Sequence, residues 1–375
     1  MTTLTQDEIL AWLRENDPCR LKHLYAWADA VRRENVGDAV HLRGLIEISS
    51  HCTRQCMYCG LRSSNRKLQR YRMTRDEILD CVREGERLGY RTVVMQAGED
   101  ETLTAEWVAE IVASIKSSTS LAVTLSLGER SKEELRIWHA AGADRYLLRF
   151  ETSDRQLFRT IHPPKTANAP DRLELLRVIK QLGYEAGGGV MVGIPGQSYQ
   201  MLADDIERFR QLDLDMIGIG PYIPHPDTPL GSGYLRPAID LAEQAAPTEE
   251  MVYKMVALAR IACPTANIPA TTALATINKT NGRRQGLSVG ANVVMPNLTP
   301  VKYRSLYQIY PAKACIDEDA GDCNRCLRGQ LHSIDRKVGL GHGSRGESEP
   351  TSSESSTPSM QLVPLKAPEA QHGIR

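Results

Sequence analysis

No sign of charge prevails in this chain: Lys+Arg and Asp+Glu both number 46 in 375 residues. Such a balance sets up no global field for nucleic acid or an anionic membrane, which leaves a small molecule or a protein as the partner. No uninterrupted apolar run approaches the length of a membrane span. The opening Met1-Thr-Thr-Leu-Thr-Gln-Asp-Glu8 has neither the basic nor the apolar region of a signal peptide. No Gly-x-Gly-x-x-Gly comes after the first strand-like run, so a dinucleotide-binding sheet finds no fingerprint. With these classes set aside, nine cysteines read as metal ligands in a reducing, cytoplasmic setting and not as a disulfide framework.

What is present is organised around Ile46-Glu-Ile-Ser-Ser-His-Cys52-Thr-Arg-Gln-Cys56-Met-Tyr-Cys59-Gly60. A short alternating apolar run, β-like in pattern, leads directly into Cys-x3-Cys-x2-Cys. Three thiolates on one tight loop can cap three irons of a cubane, for which four cysteines are the usual complement. The missing fourth ligand leaves one iron open to bind and reduce something. A structural zinc site would instead want a closed tetrahedron, and His51, beside Cys52, is badly placed to complete one.

The first forty residues carry apolar side chains at three- and four-residue spacing and predict two helices closing the bottom of the fold. From about residue 43, short β-like runs alternate with amphipathic helices. The runs are 44–49, 91–96, 121–126, 145–151, 185–192, 216–220, 268–272 and 292–295, and Thr74-Arg-Asp-Glu77 is a capping-box helix start. This pitch predicts an α/β fold, a (βα)8 TIM-type barrel, in preference to an open doubly wound sheet. Residues 1–42 are then an N-terminal helical cap, 43–300 the barrel, and 301–338 a C-terminal extension. Residues 339–375, rich in Gly, Ser, Glu and Pro, are expected to be a disordered tail because they cannot bury enough surface to offset ordering. In a barrel the active site gathers at the C-terminal strand ends. Those ends carry the cysteine loop, Gln96-Ala-Gly98-Glu99-Asp100, Ser126, Arg149-Phe-Glu151 and Thr271-Thr272. Strand alternation turns Phe150 toward the helices and both Arg149 and Glu151 toward the lumen.

A second set, Cys315-x7-Cys323-x2-Cys326, lies in the extension. It reads as an auxiliary iron–sulfur site, more blandly as zinc completed by His332, or as an empty set of free thiols. Cys19 reads as a plain structural thiol, and Cys81 and Cys263 as buried hydrophobes within helical patterns.

The Cys52/Cys56/Cys59 loop with its aromatic Tyr58 resembles the signature of radical S-adenosylmethionine (SAM) enzymes. Over residues of about 40–330 the chain resembles, more narrowly, the HydE-type [FeFe]-hydrogenase maturases. The matching stretches include Tyr58-Cys-Gly-Leu-Arg62, Gln96-Ala-Gly-Glu-Asp100, Val123-Thr-Leu-Ser-Leu-Gly-Glu129, Met191-Val-Gly-Ile-Pro-Gly-Gln197 and Gly220-Pro-Tyr-Ile-Pro-His-Pro-Asp-Thr-Pro229. The resemblance implies a radical SAM barrel in which Cys52, Cys56 and Cys59 hold a [4Fe–4S] cluster that chelates SAM. It implies Tyr58 against the adenine, the Gln96, Gly98 and Glu99 loop at the SAM amino group, and Ser126, Glu151 and Arg172 as further SAM contacts. Glu151 falls to the ribose hydroxyls and Arg172 to the carboxylate. Arg149, Met216, Thr271, Thr272 and Tyr310 match a substrate lumen, and Cys315, Cys323 and Cys326 a second [2Fe–2S] or [4Fe–4S] cluster. The substrate implied is a small organometallic iron carbonyl–cyanide–cysteine precursor, with the other hydrogenase maturases and an electron donor as partners and neither nucleic acid nor membrane. Relatives often carry His where this chain has Phe150. Two other readings are weighed: a radical SAM enzyme on an organic substrate, like biotin synthase or methylornithine synthase, and a non-catalytic iron–sulfur scaffold. The scaffold would have no need of the set Glu99, Ser126, Glu151 and Arg172.

Overall fold

The computed structural model describes residues 4–166 and 171–347. Two helices come first, α1 (Gln6–Arg14) and α2 (Pro18–Val36). Strands and helices then alternate: β1 (Ala39–Ser49), α3 (Arg75–Arg87), β2 (Thr92–Ala97), α4 (Ala105–Ser118), β3 (Ala122–Ser126), α5 (Lys132–Ala140), β4 (Arg145–Leu147). Next are α6 (Arg155–Ile161), α7 (Arg172–Gln181), β5 (Glu185–Val192), α8 (Tyr199–Gln211), β6 (Met216–Pro221) and α9 (Glu249–Ala262). The chain ends through α10 (Thr272–Ile277), α11 (Gly282–Ser288), β7 (Val293–Val294), α12 (Val301–Arg304), α13 (Ala320–His332) and β8 (Lys337–Val338). Helix starts obey local chemistry. Thr74 and Ser131 each close a reciprocal capping box with the Glu three residues on, and Asp171 caps α7 through its side chain.

The strands are parallel, in the order β6-β5-β4-β3-β2-β1-β7. Register aligns Glu47 with Gln96 and Gln96 with Ser126, so these strand ends project side chains to one level. The barrel expected from the sequence is present, with two of its strands reduced. The run at 268–272 is no regular strand. It closes the gap between β6 and β7 through single bridges, Met216 with Asn267 and Pro269 with Val293. Pro269 has no N–H to give a ladder, and Thr271 turns away to cap α10. The run at 292–295 shrinks to Val293–Val294.

Two expectations change at the base. The helices α1 and α2 do not close the bottom; they pack outside the barrel, against α8 and α9. Sandwiched this way, α9 buries every residue from Met251 to Ile261, and Lys254 turns back to bond the Leu13 carbonyl at the end of α1. The floor is laid by residues expected to begin a disordered tail. β8 pairs with the first residues of β1, and the chain then crosses beneath the lumen. The Gly343 carbonyl accepts from Arg43 Nη2 and Asn267 Nδ2, each at 2.9 Å. Arg145 donates to Ser344 Oγ at 2.9 Å, and Arg345 pairs with Asp213 at 2.7 Å and Asp215 at 3.1 Å. Composition hid this because the segment is held by polar bonds to buried arginines, not by apolar burial. The rest of the expected tail, 348–375, lies outside the described residues. Among the described residues no helix is long and apolar enough to cross a membrane.

Candidate active site

The cysteine loop leaves β1 at Ser49 and is tied down almost entirely through its backbone. Thr53 N–H donates to the Glu99 carbonyl (3.0 Å), Met57 N–H to Ile161 (2.7 Å) and Gly60 N–H to Ile309 (3.0 Å). Ser49 Oγ donates to Asp100 (2.7 Å), which Arg72 grips from the other side. Gly98 is required where it stands: a Cβ there would lie 2.3 Å from the His51 carbonyl and 2.7 Å from Cys52 Cβ. Cys56 is buried, and Cys52 and Cys59 are partly exposed toward the cavity. Burial, then the neighbouring sulfurs, push the Cys56 thiol well above its ordinary pKa; burial and Cys52 raise Cys59 to about 12. The sulfurs thus need a cation at their centre to become thiolates.

Facing the loop is a buried charged wall. Arg172, the first residue of α7, donates to Glu129 Oε1 (2.8 Å), the Arg149 carbonyl (2.6 Å) and, at a looser 3.4 Å, Glu99 Oε1. Arg54 pairs with Glu129 at 3.1 Å. Burial alone would raise Glu129, but Arg172 and Arg54 hold its carboxyl below the usual carboxylate range. His162, buried beside Arg172, is depressed to about 3 by desolvation first and that guanidinium second, so its ring is neutral. Glu99, Glu129 and His162 gather donor atoms within 4.8 Å, but the two arginines already supply the counter-charge.

Glu151 owes its aim to a bulge. Past β4 the chain stays paired with β5, but Phe150 and Glu151 N–H both donate to the Gly189 carbonyl, and Glu151 takes a left-handed φ of 61°. Phe150 turns outward onto Phe209, ring centroids 5.8 Å apart, while Arg149 and Glu151 face the lumen. Tyr58 OH donates to Glu151 Oε1 at 3.4 Å. Arg149 lies 3.0 Å from Glu151 Oε2, but out of line, so that oxygen accepts no hydrogen bond.

These groups line two cavities stacked along the barrel axis. The upper, about 1150 Å³ by its empty space, holds Cys52, Cys56 and Cys59 together with Tyr58, Gln96, Gly98, Glu99, Ser126, Glu151 and Arg172. The lower, about 920 Å³, is lined by Met216, Thr271 and Thr272 and reaches down to Arg43. Gln96, Arg149 and Tyr310 line both. Every residue expected to contact SAM or substrate therefore faces one cavity or the other, while Asp100 is spent on anchoring the loop. Sequence reasoning missed Arg54, Glu129 and His162 in the charged wall, and Glu47, Tyr307 and Lys313 below it. Lys313, from the extension, pairs with buried Glu47, and Tyr307 OH accepts from Gln96 at 3.2 Å. Glu47 was findable as a lone charge in an apolar strand, on the face that alternation assigns to the lumen. Lys313 carried no local signal.

The other cysteines separate by surroundings. Cys315, in a left-handed turn (φ 61°), lies with exposed Cys326 on an outer cavity of about 840 Å³, and Cys323 is buried. His332 lines a different groove, with Arg91 and Lys337. Cys81 and Cys263 are buried as expected, whereas Cys19 is exposed on the first turn of α2.

A barrel with three cysteines on the loop after its first strand, open above a polar lumen, defines a radical SAM enzyme. The family model of the radical SAM superfamily matches residues 46–237. The chain is 44% identical to the "[FeFe] hydrogenase maturase subunit HydE" of Thermotoga maritima over 91% of its own length and 94% of that protein's. It belongs to the HydE family. The 3-methylornithine synthase of Methanosarcina acetivorans is 26% identical over 78% of this chain and 79% of its own. Among solved structures, methylornithine synthase (PylB) superposes with a TM-score of 0.74 at 23% identity, covering 90% of this chain and 94% of that one. HydG, a maturase of the [FeFe]-hydrogenase, gives 0.72 at 19%, covering 90% and 73%. These two show the shared fold. The superfamily implies a [4Fe–4S] cluster and SAM, and the donor set fits them: three thiols with no fourth on the loop, beside buried oxygens of Glu99 and Glu151 that accept no hydrogen bond.

Proposed function

We propose that this chain cleaves SAM reductively at a [4Fe–4S] cluster held by Cys52, Cys56 and Cys59. The radical so released acts on an iron carbonyl–cyanide–cysteine precursor during assembly of the diiron site of [FeFe] hydrogenase. The observation that carries the reading is the pair of joined cavities, the upper walled by the cysteine loop and the lower enclosed by the barrel. Bound together, cluster and SAM supply one-electron cleavage of a carbon–sulfur bond, giving methionine and a 5′-deoxyadenosyl radical.

The protein's part is to bind, orient and keep water out. Glu151, aimed by its bulge and already touched by Tyr58, offers a free oxygen suited to ribose hydroxyl donors. Glu99 Oε2, 3.4 Å from Lys165 Nζ yet accepting no hydrogen bond, is suited to an ammonium beside the close backbone approach at Gly98. Arg172 is engaged on each edge of its guanidinium, and its loosest partner, Glu99 at 3.4 Å, is the one a carboxylate would replace. Gln96 and Arg149, lining both cavities, stand where the radical and its target meet. Thr271, Thr272, Met216 and Tyr310 wall the target's side. The arrangement serves a small, polar and anionic substrate, since Arg43, Arg149 and Lys313 line the lower cavity against the single carboxylate of Glu47. Cys315, Cys323 and Cys326 would hold a second [2Fe–2S] or [4Fe–4S] cluster, and the other maturases and an electron donor are the expected partners in the cytoplasm.

Anaerobic reconstitution with iron, sulfide, SAM and dithionite, assayed for 5′-deoxyadenosine, tests the reaction. Formation of the nucleoside supports the reading, and a four-iron protein that binds SAM without cleaving it removes it.

A further inference from the structure

The imidazole of His162 sits between the cysteine loop and the charged wall. It is 2% exposed, stacked on Phe158 with ring centroids 5.0 Å apart. Its Nδ1 lies 3.1 Å from Cys56 Sγ and its Nε2 lies 2.8 Å from Arg172 Nη2. A guanidinium has donors and no acceptor, so the nitrogen facing it must present a lone pair. The competing arrangement, an Nε2–H donated to Glu129, would press two N–H groups together across 2.8 Å to reach an oxygen 3.4 Å away. That oxygen already takes the Arg172 Nε proton at 2.8 Å. With Nε2 as acceptor, the one ring proton resides on Nδ1, directed at the sulfur of Cys56.

We infer that His162 is a positioning residue for the cluster. Its Nδ1–H donates to the Cys56 thiolate, and Arg172 holds the ring in the tautomer that makes this bond. The inference rests on the proposed cluster at Cys52, Cys56 and Cys59. A hydrogen bond to a ligand sulfur stabilises the added electron of the reduced cluster, and so raises its reduction potential. The ring is well placed to do this reproducibly. It comes directly after α6, its rotation is blocked by Phe158, and the adjacent Ile161 carbonyl is tied to Met57 N–H of the loop at 2.7 Å.

Three substitutions separate the two nitrogens. His162→Asn keeps a donor near the Nδ1 position and drops the acceptor for Arg172. His162→Gln keeps an acceptor toward Arg172 and drops the donor to sulfur. His162→Phe drops both. The readout is the midpoint potential of the [4Fe–4S]2+/+ couple, by EPR-monitored titration of the full-length reconstituted protein without SAM, at matched iron content. The Asn variant is expected at the wild-type potential. The Gln and Phe variants are expected lower by about tenfold in the reduction equilibrium, 59 mV for one electron. A Gln variant at the wild-type potential, or an Asn variant as low as Phe, overturns the inference. Should the variants fail to load a cluster, the 15N spectrum of histidine-labelled wild-type protein decides, with Nδ1-protonated His162 expected and an Nε2-protonated ring overturning it. A wild-type protein that takes up no four-iron cluster would instead remove the proposed function beneath it.

Discussion

The two cysteine sets have the same count and the same final spacing, yet their surroundings differ in every respect that chemistry reads. The 52–59 loop is clamped by backbone bonds from two parts of the barrel and from the extension, and its sulfurs face a cavity shared with the other strand ends. The set at 315–326 lies on an arm, with one sulfur buried, one exposed and one in a left-handed turn beside Arg283 at 3.5 Å. Burial raises all three thiols of the first set. In the second set the thiol of Cys323 and then Arg283 draw Cys315 below its ordinary value against the opposing effect of burial. Spacing alone marks a place where metal can be held. The walls around it decide whether anything else can be brought to that metal.

The contrast is sharpest in loss of function. Replacing Cys52, Cys56 or Cys59 by Ala should abolish 5′-deoxyadenosine formation, since two ligands would not retain a cubane; normal turnover by any one variant breaks the assignment. Glu151→Gln should leave iron content unchanged and weaken SAM binding about ten- to hundredfold, the worth of a charge-assisted bond of roughly 1.5–3 kcal/mol. Calorimetry on the purified variant measures it, and unaltered affinity would place Glu151 elsewhere. Ending the chain at 338 removes the partners of Arg43, Arg145 and Asn267, at a cost of about 1–3 kcal/mol for each buried donor left unpaired. Its melting temperature should fall by several degrees. Smallest of all, Cys315→Ala/Cys323→Ala/Cys326→Ala should keep SAM cleavage within about twofold of wild type while losing the extra iron and sulfide. A variant with a normal first cluster and no cleavage would erase the distinction between the sets.

Much of the fold was legible from residue order. The capping residue Thr74 marked its helix, and alternation alone turned Arg149 and Glu151 inward and Phe150 outward. What stayed hidden has a common physical form. His162 and Glu129 act through partners distant in sequence, and neither sits at a strand end. The bulge at Glu151 depends on Gly189 of a neighbouring strand. Residues 342–345 read as tail because their anchoring is polar and supplied by arginines some two hundred to three hundred positions earlier. Local pattern reports what a segment buries, and is silent on what reaches out to hold it.

That anchored segment has a kinetic consequence. The one Gly343 carbonyl, bonded to both Arg43 and Asn267, floors the lower cavity, and the upper cavity lies above it. A molecule lodged in the upper chamber bars the way. On the proposed function, the deep occupant loads first and SAM after it, and on the way out methionine and 5′-deoxyadenosine clear before anything below them, so that these small products would set the residence time of the large one.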